Sequence, residues 1–323
     1  MIDMSDKLKN KLNNIPALPG IYKMLDSRRN IIYVGKSKCL KKRVKSYFVT
    51  DHKWEKVKKM VALIRDIEYI VTDTHLEARL LECSLIKTIK PPFNSQMKND
   101  RRYAYLQIKD YNPYNSLAVV HERSDYTYGP LRSQHMLIEL IDLLKNLYPI
   151  QFTGDKYEFE YHLFPITMDQ ITFEKNQQVL IDLLSNEEKL KLFIEQLEDN
   201  MNKAASTYHF EKASKYRDII RGLEYVKHGI NGYRDLFSKR LVLKLPTQEG
   251  VKLFYVNKGN ILLTKKYKRI SSLDKYLKNF IDKGNAIECN EIMEIDDKAA
   301  IDYRDILYSE INSLPEDMII SAG

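Results

Sequence analysis

Residues 74–92 constrain the fold more than any other stretch, because they spell out one helix with both ends marked. Thr74-His75-Leu76-Glu77 has the form of a capping box, in which two side chains satisfy backbone N–H groups of the first turn. Pro91-Pro92 stops the helix near Ile89, since a residue preceding proline is pushed out of the helical region. On a wheel of about 100° per residue, Ala78, Leu81, Leu85, Ile86 and Ile89 share an apolar sector, and Glu82 falls inside it. A carboxylate among buried apolar neighbours is costly unless it is paired or bound to a cation. Glu77 lies on the polar side and has its capping role. Glu82 needs a partner, and two are open to it: a buried ion pair with Arg43, or a divalent cation.

Upstream, residues 20–24 and 31–35 read as two short strands, with Asp26, Ser27, Arg28, Arg29 and Asn30 supplying turn chemistry. A two-residue loop at Ser27–Arg28 sets Tyr22 directly opposite Tyr33, two phenols on one face. Gly20 and Gly35 at the strand ends then leave room for a ligand or backbone to approach. From Lys36 to Phe48 the spacing is helical, with Leu40, Val44 and Phe48 four apart. Arg43 and Tyr47 share a face bordering that stripe, and Lys36 sits just before the helix. Residues 68–72 make a third strand.

Beyond residue 100 the pattern continues as α+β. Residues 100–165 hold short strand-like pieces and a helix over 134–147. Residues 187–226 read as helix with a break near 207–209. Strands over 240–245, 251–256 and 260–264 precede helices near 272–282 and 297–312. The boundaries expected are 15–97, 98–186, 187–228 and 229–323.

Charge concentrates at one end. The net charge is +8, yet residues 1–100 hold 21 Lys/Arg against 11 Asp/Glu, and the rest carries a net of −2. Ten basic residues fall between Lys36 and Lys59, interleaved with Tyr47, Phe48 and Trp54. Such a patch suits a phosphate backbone, with Lys38, Lys41, Lys42 and Lys45 as the candidate phosphate contacts. No apolar run of about 18 residues implies a membrane helix, and the polar, lysine-rich start does not read as a secretory signal. Cys39, Cys83 and Cys289 stand far apart, which argues against a disulfide framework and fits a reducing cytoplasm.

Taken in order, these residues resemble a known family. Gly20-Ile21-Tyr22 and Tyr33-Val34-Gly35 resemble the paired signature of GIY-YIG nucleases. Leu18-Pro19-Gly20-Ile21-Tyr22, Tyr33-Val34-Gly35-Lys36, the run Leu40 through Phe48, Glu77-Ala78 through Leu81-Glu82, Leu85-Ile86-Lys87 and the Pro91-to-Asn94 end are similar to the UvrC-type excinucleases. The resemblance implies a small antiparallel sheet with helices, and a site built from Tyr22, Tyr33, Lys36, Arg43, Tyr47 and Asn94. Glu82 falls where the family binds its metal, Mg²⁺ or Mn²⁺. It implies phosphodiester hydrolysis, with Tyr33 as the candidate general base and Arg43 clamping the phosphate.

Residues 201–218 resemble the UVR motif, the helical hairpin through which such proteins contact UvrB, with Ser214 where the motif usually has alanine. Phe210 is the expected apolar anchor, and Glu211 and Arg217 the charges that set register. The alternative is an ordinary amphipathic hairpin whose apolar residues are core. No cysteine lies between Cys83 and Cys289, so no iron–sulfur cluster is expected. The strand-rich tail reads as a shortened remnant of an RNase H-like domain, with Asp282, Glu291, Glu294, Asp296 and Asp297 not assigned to catalysis. The plan resembles the short, Cho-like form of the family. It implies a 3′-side incision in damaged double-stranded DNA, in partnership with UvrB and away from any membrane. Two other readings are an inactive adaptor that binds DNA and UvrB, and a recombination-type GIY-YIG nuclease.

Overall fold

The computed structural model describes residues 6–49, 54–98, 103–231, 238–268, 273–287 and 298–323. It divides into two units, one of Met1–Asp100, Leu236–Ile292 and Ala299–Gly323, the other of Arg101–Asp235 and Met293–Lys298. The first hundred residues contribute α1 (Asp6–Asn14), β1 (Gly20–Leu25), β2 (Ile31–Ser37), α2 (Leu40–Val49), α3 (Glu55–Leu63), β3 (Asp66–Val71) and α4 (His75–Ile89). The strands pair antiparallel in the order β2-β1-β3. Leu8 and Leu12 of α1, the expected Leu40/Val44/Phe48 stripe of α2, and Met60 and Val61 of α3 close over Tyr22 and Met24 to form the core.

The hairpin register differs from expectation. Tyr22 pairs with Gly35, and Tyr33 with Met24. The loop is longer than two residues because Asp26 organises it: its carboxylate accepts the N–H of Arg28 and of Asn30, each at 2.9 Å, and Arg29 takes φ +64°. A register irregularity follows at Met24/Leu25. Tyr22 and Tyr33 therefore meet diagonally, with ring centroids 6.1 Å apart.

The two glycines receive this chain's own atoms rather than a ligand. A Cβ at Gly35 would lie 2.4 Å from the Tyr22 hydroxyl oxygen, and one at Gly20 would lie 2.2 Å from the Ile70 carbonyl oxygen. The following helix begins at Leu40 and not at Lys36, because β2 continues to Ser37 and the Ser37 hydroxyl then accepts the Cys39 N–H at 2.9 Å. Lys36 thus projects from the sheet.

The capping box of α4 forms in full, and Lys90 ends the helix in the left-handed region at φ +52°. Its fully buried positions are Leu76, Ala78, Cys83 and Ile86, while Leu81, Leu85 and Ile89 are half-buried. The deepest face is rotated from the expected one, but Glu82 still lies one turn from both Ala78 and Ile86.

The second unit contains the sheet β5-β4-β6, from β4 (Ala104–Ile108), β5 (Leu117–Val120) and β6 (Thr127–Leu131), and the small hairpin β7 (Gln151–Thr153) with β8 (Lys156–Glu158). Its helices are α5 (Gln134–Leu144), α6 (Gln170–Ser185), α7 (Glu187–Ser206) and α8 (Phe210–Asn231). Sequence reading did not single out α6. The helical break falls where expected, with Tyr208 at φ +62° between α7 and α8. Leu190, Phe193, Ile194 and Leu197 of α7, and Tyr216, Ile219, Leu223 and Val226 of α8, are buried in this unit's core. Their recurrence at three- and four-residue steps is why two amphipathic helices fold back on each other.

Returning to the first unit, β9 (Arg240–Thr247), β10 (Gly250–Asn257), β11 (Asn260–Lys268), α9 (Leu273–Asn285), α10 (Ile301–Ser313) and β12 (Ile319–Ser321) form a sheet of order β11-β10-β9-β12 with two helices. Every pairing is antiparallel, and β12 was not expected. Asp282 lies in α9; Cys289, Glu291, Glu294, Asp296 and Asp297 fall outside the described residues. This portion reaches α4 and the turn before it through ion pairs. The Lys252 ammonium meets Asp73 at 2.8 Å and also Glu77, Lys266 meets Asp73 at 2.7 Å, Arg79 meets Glu310 at 2.8 Å, and Lys87 meets Asp302 at 2.9 Å.

Candidate active site

Strands β1 and β2 and helix α2 bring three phenols together. The Tyr22 and Tyr47 hydroxyls are 3.0 Å apart, and the Tyr47 ring centroid lies 6.0 Å from that of Tyr22 and 6.3 Å from that of Tyr33. Arg43, one turn before Tyr47 on α2, donates to the Tyr47 hydroxyl at 3.1 Å and places its guanidinium 4.9 Å from that ring's centre. Tyr22 and Tyr47 are buried, whereas Tyr33 is half-buried and packs against the same core. Helix spacing and strand alternation produce this cluster without any long-range device beyond the sheet itself.

Glu82 completes the group from α4. Its side chain is 13% exposed, its Oε1 accepts the Lys36 backbone N–H at 3.0 Å, and the Lys36 ammonium stands 3.5 Å from Oε2. The partner is Lys36 rather than the Arg43 considered from sequence, because Lys36 belongs to the strand that α4 packs against while Arg43 turns to Tyr47. Burial raises the pKa of Glu82, and the Lys36 charge and hydrogen bonds oppose that rise. Tyr22 and Tyr33 are also raised, first by burial and then by the surrounding phenols, with the Glu82 carboxylate adding to the effect on Tyr33. Both are therefore neutral O–H groups near neutral pH.

Asn94 sits behind this cluster. Its side-chain amide accepts the Val34 N–H at 3.0 Å and donates to the Val34 carbonyl at 2.8 Å. It acts on the strand that carries Tyr33 and Lys36. Of the basic residues, Lys38, Lys41 and Lys42 are exposed, while Lys45 donates to Asn13 at 3.1 Å and is partly occupied within the fold.

The donor set suits a hard divalent cation. Among the described residues no group of three or more His, Cys, Asp and Glu converges, so Glu82 would be the protein's carboxylate ligand. Mg²⁺ accepts oxygen donors and keeps several waters, completing its shell with substrate phosphate. Mn²⁺ meets the same requirement.

Sequence reasoning missed His75, at the start of α4. Burial lowers its pKa, with Glu310 opposing and Lys36, Lys38 and Arg79 contributing to the lowering. Its neighbours come from three segments, so no spacing pattern marks it. The lysine partners of Asp73 and Glu77 were missed for the same reason, being 175 or more positions away.

In the helical hairpin, Phe210 is 65% exposed beside Tyr208, with ring centroids 6.1 Å apart. That exposure removes Phe210 from the core role that an ordinary amphipathic hairpin would give it. Glu211 is exposed, and the Arg217 guanidinium is engaged by Asp218 at 3.1 Å and Ser214 at 2.9 Å. No helix among the described residues is long and apolar enough to cross a membrane.

Residues 18–95, which hold the phenol cluster, the guanidinium and the buried carboxylate, match the UvrC-like GIY-YIG domain family. Residues 191–226 match the UvrB/UvrC motif, so the chain joins a UvrC-like GIY-YIG domain to a UVR hairpin. It is similar to UvrABC system protein C of Synechococcus sp. (strain JA-2-3B'a(2-13)), at 35% identity over 69% of this chain and 38% of that protein. It is also similar to UvrABC system protein C of Caldanaerobacter subterraneus subsp. tengcongensis, at 36% over 68% and 38%, and of Alkaliphilus oremlandii, at 32% over 79% and 44%. The chain thus covers 38–44% of the length of these relatives. Among solved structures it is similar to the GIY-YIG N-terminal endonuclease domain of UvrC from Thermotoga maritima bound to its catalytic divalent cation, magnesium. The identity is 34%, covering 28% of this chain and 100% of that one, with a TM-score of 0.26.

Proposed function

We propose that this chain is a divalent-metal-dependent endonuclease that hydrolyses one phosphodiester bond of DNA, making the 3′-side incision of nucleotide excision repair. In this reading it is a short, Cho-like form of the UvrC type, and the α7–α8 hairpin docks on a UvrB-type partner through Phe210. The strand-rich tail would be a reduced relic of a second nuclease domain. The observation that carries the activity is Glu82, a largely buried carboxylate held against Lys36 and close enough to Tyr33 to raise its pKa.

A cation held by Glu82 would relieve charge at the non-bridging oxygens and favour ionisation of the attacking water. Arg43 binds the phosphate and stabilises the charge that develops on it. The Tyr22 and Tyr47 hydroxyls fix one another and so hold the Arg43 guanidinium in place. Tyr33, half-buried and protonated, positions the attacking water. Its use as a general base requires positive charge to arrive beside it and reverse the upward push from burial and from Glu82. Lys36 keeps Glu82 oriented through its backbone N–H, and Asn94 keeps the strand beneath Tyr33 in register.

Incision of a lesion-bearing duplex, with and without UvrA and UvrB and in Mg²⁺ or EDTA, tests the proposal. A Mg²⁺-dependent 3′ nick that needs the damage-recognition proteins supports it. Tight DNA binding with no nick under any of these conditions leaves an adaptor, and damage-independent cutting leaves a recombination-type nuclease.

A further inference from the structure

Trp54 is the chain's single tryptophan, and its indole is 76% exposed at the N-cap of α3. No ring of the described residues stacks on it. A lone exposed apolar side chain needs no explanation by itself. Trp54, however, lines a cleft of about 390 Å³. Met60 and Phe93 line it with apolar surface, the exposed Lys56 also lines it, and Tyr33 and Arg43 are shared with the candidate active site. Among the described residues the lining holds two cations, Arg43 and Lys56, and no carboxylate.

The volume lies at the small end of ligand pockets, about 300–1,000 Å³, and is far too small for a duplex. Its chemistry suits a flat π-system joined to an anion: an aromatic face and apolar floor for the ring, and cations for the backbone on either side. Because Arg43 belongs to both sites, whatever enters the cleft lies next to the phosphate that Arg43 holds. A base in an intact helix is stacked on its neighbours and cannot turn into such a cleft.

We infer that this cleft receives one unpaired nucleobase flanking the scissile phosphate, stacked on Trp54, with Lys56 on the adjoining backbone phosphate. The inference rests on the endonuclease reading and deepens it, since it makes local unpairing of the DNA part of what the nuclease domain itself recognises. Base–aromatic stacking tolerates any base, so the cleft selects for distortion and not for sequence.

The single tryptophan makes the test direct. The full chain in EDTA is titrated with a duplex bearing a two-nucleotide bubble and with a fully paired duplex of equal length. Tryptophan emission and the anisotropy of labelled DNA are both read. The bubble duplex is expected to quench the emission and the paired duplex to leave it nearly unchanged. Trp54→Ala should weaken binding of the bubble duplex by about tenfold without altering binding of the paired one, and Trp54→Phe should restore most of the loss. Emission of the unsubstituted chain left unchanged by the bubble duplex overturns the cleft assignment, as does full bubble affinity in Trp54→Ala or an equal loss for both duplexes. A chain that cuts in Mg²⁺ but shows no quenching fails only this inference. One that is quenched selectively but never cuts fails only the activity reading.

Discussion

Asn94 and Val34 exchange two hydrogen bonds, so that one side-chain amide satisfies both backbone polar groups of a residue on the outer edge of the β2-β1-β3 sheet. The amide does the work of a fourth strand at this point, on a strand whose flanking residues are Tyr33 and Gly35. Asn94 thereby acts on the phenol cluster through the backbone of the strand that carries Tyr33.

Asn94→Ala is expected to strand a buried N–H and a buried C=O, each costing about 1–3 kcal/mol. Denaturant unfolding should show a lower midpoint. DNA incision should fall further than stability alone explains at a temperature where the variant remains folded. Asn94→Asp keeps the acceptor for the Val34 N–H and should recover part of the loss. An unchanged unfolding midpoint in Asn94→Ala would remove the edge-strand role.

Glu82→Gln keeps the shape of the side chain and removes the charge that a cation needs. Cleavage should drop by about 100-fold or more, while the affinity for DNA measured in EDTA stays within a factor of about two. Cleavage at the unsubstituted rate would remove Glu82 from the metal site.

Gly35→Ala adds a single methyl group where the Tyr22 ring passes, 2.4 Å from its hydroxyl oxygen and 2.5 Å from Cζ. Overpacking of this kind costs about 1–3 kcal/mol. The displaced ring would release Tyr47 and with it Arg43, so incision and thermal stability should both fall. The double variant Gly35→Ala/Tyr22→Leu should regain stability but not activity.

The contact between the carboxyl-terminal sheet and α4 is acid-sensitive. Hydrogen bonds from Lys252 and Lys266 lower the pKa of Asp73, and Asp73 and Glu77 raise that of Lys252 against the effect of burial. A depressed carboxylate contributes stability above its unfolded-state pKa and loses it as pH falls through the folded-state value. The raised lysine contributes below its unfolded-state pKa and loses stability only as pH rises through its elevated folded value. The contact is thus present across neutral pH and is lost only as pH falls below the ordinary aspartate range. Thermal unfolding of Lys252→Met should depend less on pH between 6 and 3 than that of the unsubstituted chain. Parallel curves for the two proteins would argue against the ion-pair cluster as a source of acid sensitivity.

Much of the site is legible in the order of residues. The Thr74/Glu77 cap and Pro91-Pro92 fix a helix, the helical period puts Arg43 beside Tyr47, and the burial conflict at Glu82 marks it without any coordinates. The register of β1 against β2 was not legible in the same way. It depends on how Asp26 uses its carboxylate to hold a longer loop, and a single irregularity at Met24/Leu25 moves Tyr22 from opposite Tyr33 to diagonal from it. The choice of Lys36 over Arg43 as the partner of Glu82 followed from that strand running on to Ser37.

The sequence alone determined the local elements and the chemical groups they carry, because capping, periodicity and the cost of burying a charge act over a few neighbouring residues. Tertiary structure decided which groups meet. Lys252 reaches Asp73 and Glu77, Asn94 reaches Val34, and Trp54 comes to line the cleft shared with Arg43, only once the chain has closed on itself. Pairings across such separations are selected by packing and by the satisfaction of buried polar groups, which no local spacing encodes.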